Sequence, residues 1–245
     1  MNTQASAVES VRRLLDAIDR KSASLAADLH PAWIDAAWAR LGPRAGVWAA
    51  RVPPRRHSAL LAKAYSLDWP SLAVFSEPAH RIALLDRSRM LRVLATCALD
   101  GRRDSVRRSV GRVVRHLLIE GIGESAYEKV LDSPARGMHV ADPLGAFEVG
   151  QDRLAVEGFR ALCAQAAWRN QSLITVVRLS LAPSALGEHL QVNERPNGSA
   201  VKSVDRMIDR LHEYFPELAW LFGSDMDRAL SALRTESSVL QTSLP

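Results

Sequence analysis

Apolar positions recur with a period of about 3.6 along nearly the whole chain, which predicts helices almost throughout. Over 6–27, Val8, Val11, Leu14, Leu15, Ile18 and Leu25 share one face. Pro31 suits a first helical turn, and the helix it opens carries Ile34, Ala37, Trp38 and Leu41 to a stop at Gly42-Pro43. Residues 43–57, with three Pro and several Arg, read as a connector. Ser58 is placed to cap a short helix through Leu60, Leu61, Ala64 and Tyr65. Ser76 and Pro78 open another, with Ile82, Leu84 and Leu85.

Asp86 reads as the cap of a helix bearing Met90, Leu91, Leu94, Cys97 and Ala98, ended by Gly101. Residues 102–120 read as one Arg-rich helix with Val106, Val110, Val113, Val114, Leu117 and Leu118 on its apolar face, broken by Gly121 and Gly123. A short helix over 124–132 follows, with Tyr127, Val130 and Leu131. The stretch 133–150, with two Pro and three Gly, reads as a linker or loop. Residues 152–169 are amphipathic through Leu154, Phe159, Leu162, Cys163 and Ala166.

Leu173–Leu181 is rich in β-branched residues, which favours a strand, but it follows a long helix. Helix is the reading adopted. Residues 191–200 form a flexible loop. Val201, Val204, Met207, Ile208, Leu211 and Phe215 mark a late helix that Pro216 interrupts. It resumes over 217–234 with Trp220, Leu221, Phe222, Leu230 and Leu233, before a polar, frayed tail. The expected fold is mainly α, a compact multi-helix domain with irregular connectors. It comprises 1–132 as an N-terminal and central helical region, 133–150 as linker or loop, and 151–245 as a C-terminal helical region with a polar tail.

Composition narrows the function classes. Apolar residues are 47% and charged residues 24%, ordinary for a chain that forms a core in water. The longest stretch without Asp, Glu, Lys or Arg is nine residues, against the ~18 of a membrane-spanning helix. The N-terminus lacks a secretory apolar region. Cys97 and Cys163 lie among small apolar residues, read as buried, and make no disulfide framework. A reduced, cytoplasmic protein with no membrane insertion is therefore expected.

The net charge of +5 is uneven. Residues 81–116 hold ten Arg against three acids, so the rest of the chain is −2. Arg103, Arg107, Arg108, Arg112 and Arg115 fall on one side of the predicted 102–120 helix, with Val106, Val110, Val113 and Leu117 opposite. This stripe is the candidate partner-binding surface, a positive face for an acidic partner.

Other chemistries find little support. Gly121-Ile-Gly123-Glu-Ser-Ala126 has the form of a dinucleotide fingerprint, but an amphipathic helix precedes it where a strand is needed. A helix-turn-helix over 112–132 would present Glu124, Glu128 and Asp132 to phosphates, which repel them. The seven His are scattered without metal-ligand spacing. No G-x-S-x-G is present, and the two Cys read as inert. No catalytic residue, metal or cofactor is expected. Trp33, Trp38 and Trp220 read as core, and any exposed Trp would be a binding anchor.

Residues 71–131 carry a resemblance. His80-Arg81-Ile82-Ala83-Leu84-Leu85, Met90-Leu91-Arg92-Val93-Leu94, the Arg-rich helix with Gly111, and Gly123-Glu124-Ser125-Ala126-Tyr127 together resemble the central region of the SctK (YscK, or Hrp-type) proteins of bacterial type III secretion systems. The N-terminal helix, His30-Pro31-Ala32-Trp33 and Phe215-Pro216-Glu217-Leu218 resemble the same family more loosely. The resemblance implies a mainly helical, non-enzymatic cytosolic accessory protein of the sorting platform. Its partners would be the cytoplasmic domain of the inner-membrane ring and the pod protein, with recruitment to the cytoplasmic face of the inner membrane. The alternative class is a helical nucleic-acid-binding or regulatory protein using the arginines of 102–115. Glu124 and Glu128 beside the stripe favour the protein interface over a nucleic-acid one.

Overall fold

The computed structural model describes residues 2–40, 42, 44–49, 51–109, 111–133, 142–165, 168–190, 204 and 206–232. Among them the regular structure is helical throughout, with no strand. The predicted loop over 191–200, residues 134–141 of the 133–150 connector and the polar tail lie outside the described residues.

Helix α1 (Asn2–Asp28) packs along α4 (Pro54–Ala64), while α2 (Pro31–Arg40) and the short α3 (Ala45–Ala49) lie between them in sequence. The expected connector at 43–57 therefore contains α3 and the first turn of α4. Ser58 lies inside α4 rather than capping it: it is fully buried, and its hydroxyl accepts the Ala26 amide at 3.1 Å. The buried stripe of α1 is Leu14, Ala17, Lys21 and Leu25, at helical spacing, while Val8 and Leu15 face solvent. Lys21 escaped an apolar-pattern search because it is a charge. Its ammonium donates to Asp28 Oδ2 at 2.8 Å and to the Leu85 carbonyl at 2.5 Å. Burial pushes its pKa down, against the pull of Asp28.

Residues 72–84 form two 3₁₀ segments, Leu72–Ser76 and Pro78–Leu84, where the sequence suggested an α-helix from 76. Pro78 has no amide proton to continue an α-helical ladder, and the turns close three residues back, the Glu77 amide on the Val74 carbonyl and the His80 amide on the Glu77 carbonyl. His80 Nδ1 lies 2.7 Å from the Val74 carbonyl, and Arg81 Nε donates to that of Phe75 at 2.7 Å. Helix α5 (Arg87–Gly101) then starts as expected: Asp86 accepts the Arg89 amide at 2.9 Å, and Asp28 accepts the Arg87 amide at 3.2 Å. Two carboxylates at one helix N-terminus also complement its dipole.

Nearly every apolar residue of α5 is buried, because it crosses α9 (Gln151–Cys163) along its length. Gly158 permits this approach: a Cβ there would lie 1.9 Å from the Leu94 carbonyl oxygen. Phe159 and Trp168 extend the core edge to face, with centroids 5.7 Å apart. Of the Leu173–Leu181 stretch, 173–180 is helical, within α10 (Gln171–Ser180), capped by Asn170, and α11 (Pro183–Leu190) follows. The N-terminal helices latch onto this region. The His30 amide donates to Leu179 O at 2.8 Å, and the Trp33 indole to Leu181 O at 2.9 Å. The chain closes on short helical segments, Leu211–Tyr214, Pro216–Leu218 and Ala219–Phe222, and a helical run over 224–232.

Candidate partner-binding surface

The predicted helix over 102–120 is two helices: α6 (Arg103–Arg108) and α7 (Arg112–Ile122), parted at Ser109–Gly111. The Ser109 hydroxyl accepts the Leu144 amide at 2.7 Å, so the break ties the helix to a distant segment. Gly121 lies inside α7. The chain turns into α8 (Glu124–Asp132) at Gly123, whose φ of +88° suits glycine and few other residues.

Burial splits the five predicted arginines between two environments, Arg103 and Arg107 turned inward and Arg108, Arg112 and Arg115 exposed, which corrects the expectation of one solvent-facing stripe. Arg103 is buried, and its guanidinium donates to Asp100 Oδ2 at 3.0 Å. Asp100 Oδ1 accepts the Tyr214 hydroxyl at 3.1 Å, and Ser133 Oγ lies 3.2 Å from the same hydroxyl. Burial, reinforced by Asp100, raises the Tyr214 pKa and keeps the phenol protonated as a donor. Arg107 is half-buried. Its Nε donates to the Leu131 carbonyl at 3.1 Å, its Nη2 bonds the Ser133 carbonyl, and Asp104 pairs with it at 3.6 Å. Those carbonyls end α8, so Arg107 acts as a cationic C-terminal cap.

Arg108, Arg112 and Arg115 are exposed. Arg115 stacks over the Tyr127 ring at 5.9 Å. Val113, expected on the inner face, is 65% exposed, while Leu118, Gly121 and Ile122 supply the buried side of α7. The outer face of α7 thus sets an apolar side chain among arginines. Glu124, Glu128 and Asp132 are exposed on α8.

The residues that carry the family resemblance hold the molecule together. Arg81 is fully buried and donates to the carbonyls of Phe75 at 2.7 Å and Leu221 at 3.0 Å, while pairing with half-exposed Asp227 at 2.7 Å. Arg92 donates to the Ile122 carbonyl at 3.2 Å, lies over the Phe215 ring at 5.4 Å and faces Glu217 at 3.8 Å. It fills the space a Cβ of Gly123 would need, 2.4 Å from Nη2. The motif segments around 80, 92, 123 and 215 therefore meet at structural joints. Arg102 makes a further joint, bridging Glu148 at 2.7 Å and Glu157 at 3.2 Å. The Gly145 amide, then Arg102, lowers the pKa of Glu148. Burial outweighs Arg102 at Glu157 and raises it.

Of the cysteines, Cys97 is buried with its Sγ 3.2 Å from Met207 Sδ, and burial raises its pKa. Cys163, expected to be buried, is exposed, yet partial desolvation pushes its thiol up to about 11. Both are poor nucleophiles at neutral pH. Among the described residues no group of three or more His, Cys, Asp or Glu is placed to hold a metal ion, and no helix is long and apolar enough to cross a membrane. Helix α7, not a strand, precedes the Gly121–Ala126 sequence.

Trp38 is buried, while Trp33 and Trp220 pack partly buried against the core. Trp48 on α3 is 71% exposed, beside Val47 at 63%. This patch lies in the 43–57 stretch whose prolines read as a connector. The signal that finds it is the absence of any acid between Asp35 and Asp68.

A family model for a bacterial type III secretion protein (HrpB4) matches residues 15–217. No curated protein and no solved structure matches the chain. The match runs from α1 through the 216–218 turn and takes in the buried Arg81 and Arg92 joints, so the chain belongs to the HrpB4 family of bacterial type III secretion proteins.

Proposed function

We propose that the protein is a non-enzymatic adaptor of the type III secretion apparatus. It links the cytoplasmic domain of the inner-membrane ring to the sorting-platform pods by protein–protein contacts, without a cofactor, at the cytoplasmic face of the inner membrane. Family membership supports the setting. The observation that carries the adaptor reading is the outer face of α7, where exposed Val113 sits between Arg112 and Arg115. An apolar contact with an arginine rim is the composition of a protein interface. Phosphate backbones gain nothing from the valine and are repelled by the acids of α8.

The test is co-purification of apparatus proteins with the tagged chain from secretion-competent cells, comparing wild type with Arg108→Glu/Arg112→Glu. The adaptor reading expects ring and pod proteins to be captured by the wild type and lost with the variant, with unchanged melting. Opposed like charges at an interface cost several kcal/mol, whereas exposed substitutions shift stability by only ~0.5 kcal/mol. Capture of neither protein by the wild type would defeat it.

A further inference from the structure

The α3–α4 corner carries a second positively charged surface. Across residues 36–67 there are six cations, Arg40, Arg44, Arg51, Arg55, Arg56 and Lys63, and no acid. All six are exposed. The arginines of the central helices mostly spend their charge inside the molecule, on Asp100, Asp104, Glu148, Glu157 and backbone carbonyls. Arg44, Arg51, Arg55 and Arg56 have no such partner among the described residues.

Their placement adds apolar surface to the charge. The Trp48 amide donates to the Arg44 carbonyl at 3.3 Å, and the Arg51 amide to the Trp48 carbonyl at 2.9 Å. These two turns stack Arg44, Trp48 and Arg51 on one side of α3, with Val47 alongside. Arg55 and Arg56 occupy the first turn of α4, which holds no acid. A helix N-terminus favours anions, so two cations there work against the local electrostatics. A local cost with no intramolecular compensation marks a surface shaped for something else. Arg55 and Lys63 also line an open groove of about 730 Å³ between α1 and α4, together with Ser22, Ser66, Asp68 and Trp69.

We propose that this corner is a docking site for an anionic phospholipid surface, with Trp48 and Val47 seated at the headgroup level and the flanking arginines on the phosphates. Tryptophan prefers that boundary, and amphipathic elements with basic flanks bind there without spanning. The exposed tryptophan beside valine, flanked by cations that no intramolecular acid orients, suits a fluid anionic sheet, where the ring finds the headgroup boundary and the cations need no fixed partner. The exposed Trp–Val pair favours lipid over nucleic acid, whose backbone offers it no apolar contact. The inference is independent of the adaptor reading of α7.

The experiment is vesicle co-sedimentation of the intact chain. The probes are phosphatidylcholine vesicles containing about one-third phosphatidylglycerol, with pure phosphatidylcholine as control. Binding is expected only to the anionic vesicles, and is expected to fall steeply at high salt. Each arginine lost near such a surface lowers partitioning roughly fivefold, so Arg51→Gln/Arg55→Gln should weaken it by more than tenfold. Trp48→Ala should weaken it several-fold, and Trp48→Phe should restore most of the loss. All three variants should melt with the wild type, since the residues are exposed. Failure to bind, or equal binding to neutral vesicles, would overturn the proposal. So would binding indifferent to Trp48→Ala, which would assign the arginines to a soluble polyanion or an acidic protein.

Discussion

Gly158 sets how closely α5 and α9 can approach. A methyl group there meets the backbone oxygen of Leu94, which cannot swing away as a side chain would. Gly158→Ala should therefore cost about 3 kcal/mol or more, the upper part of the range for overpacking. At ~2–4 °C per kcal/mol for a chain of this size, the melting temperature should drop by roughly 10 °C in a thermal scan. Cys163 gives a second residue-scale expectation. A thiol with a pKa of about 11 is only about one part in a thousand thiolate at pH 8. Its labelling by a disulfide reagent should be slow at neutral pH and rise about tenfold per pH unit up to pH 10. Cys97 should label only on unfolding. Fast labelling of the native protein at pH 7 would contradict this environment.

At the scale of elements, buried and exposed arginines separate by consequence. Arg81→Met leaves the Phe75 and Leu221 carbonyls without their donor, and should cost about 2–6 kcal/mol, ~1–3 for each buried carbonyl left unsatisfied. Arg112→Glu should cost no more than ~0.5 kcal/mol. Parallel melts check the contrast, and equal losses would mean that Arg112 is also structural. Elements were legible where their causes are local. The Asp86 cap, the Pro31 start and the helicity of 173–180 lie within a few residues of their signals. The break at Ser109 was not legible, because Leu144 lies 35 positions away. Nor were the 3₁₀ turns before Leu84, where the side chains of His80 and Arg81 turn back onto the carbonyls of Val74 and Phe75. The arginine stripe failed as a unit for the same reason: helical spacing says which residues share a face, but not that Asp100 and the end of α8 wait beneath it. Trp48 lay in a stretch whose prolines read as loop.

For the whole molecule, one hydrophobic cluster runs from Leu14 in α1 to Leu230 near the C-terminus. The chain should accordingly melt in a single cooperative transition, with calorimetric and van't Hoff enthalpies in agreement. Two separate transitions would show that the regions on either side of 133–150 fold apart. We propose that the helical body acts by binding proteins of the secretion apparatus through the exposed Arg108, Arg112 and Arg115, at the end of α6 and on the outer face of α7. The most direct measurement is calorimetric titration of the purified chain against the purified ring cytoplasmic domain and against the pod protein. Saturable binding to both is expected, with the affinity for at least one reduced tenfold or more by Arg108→Glu/Arg112→Glu at an unchanged melting temperature. Absence of heat with both proteins, or wild-type affinities in the charge-reversed variant, would contradict it.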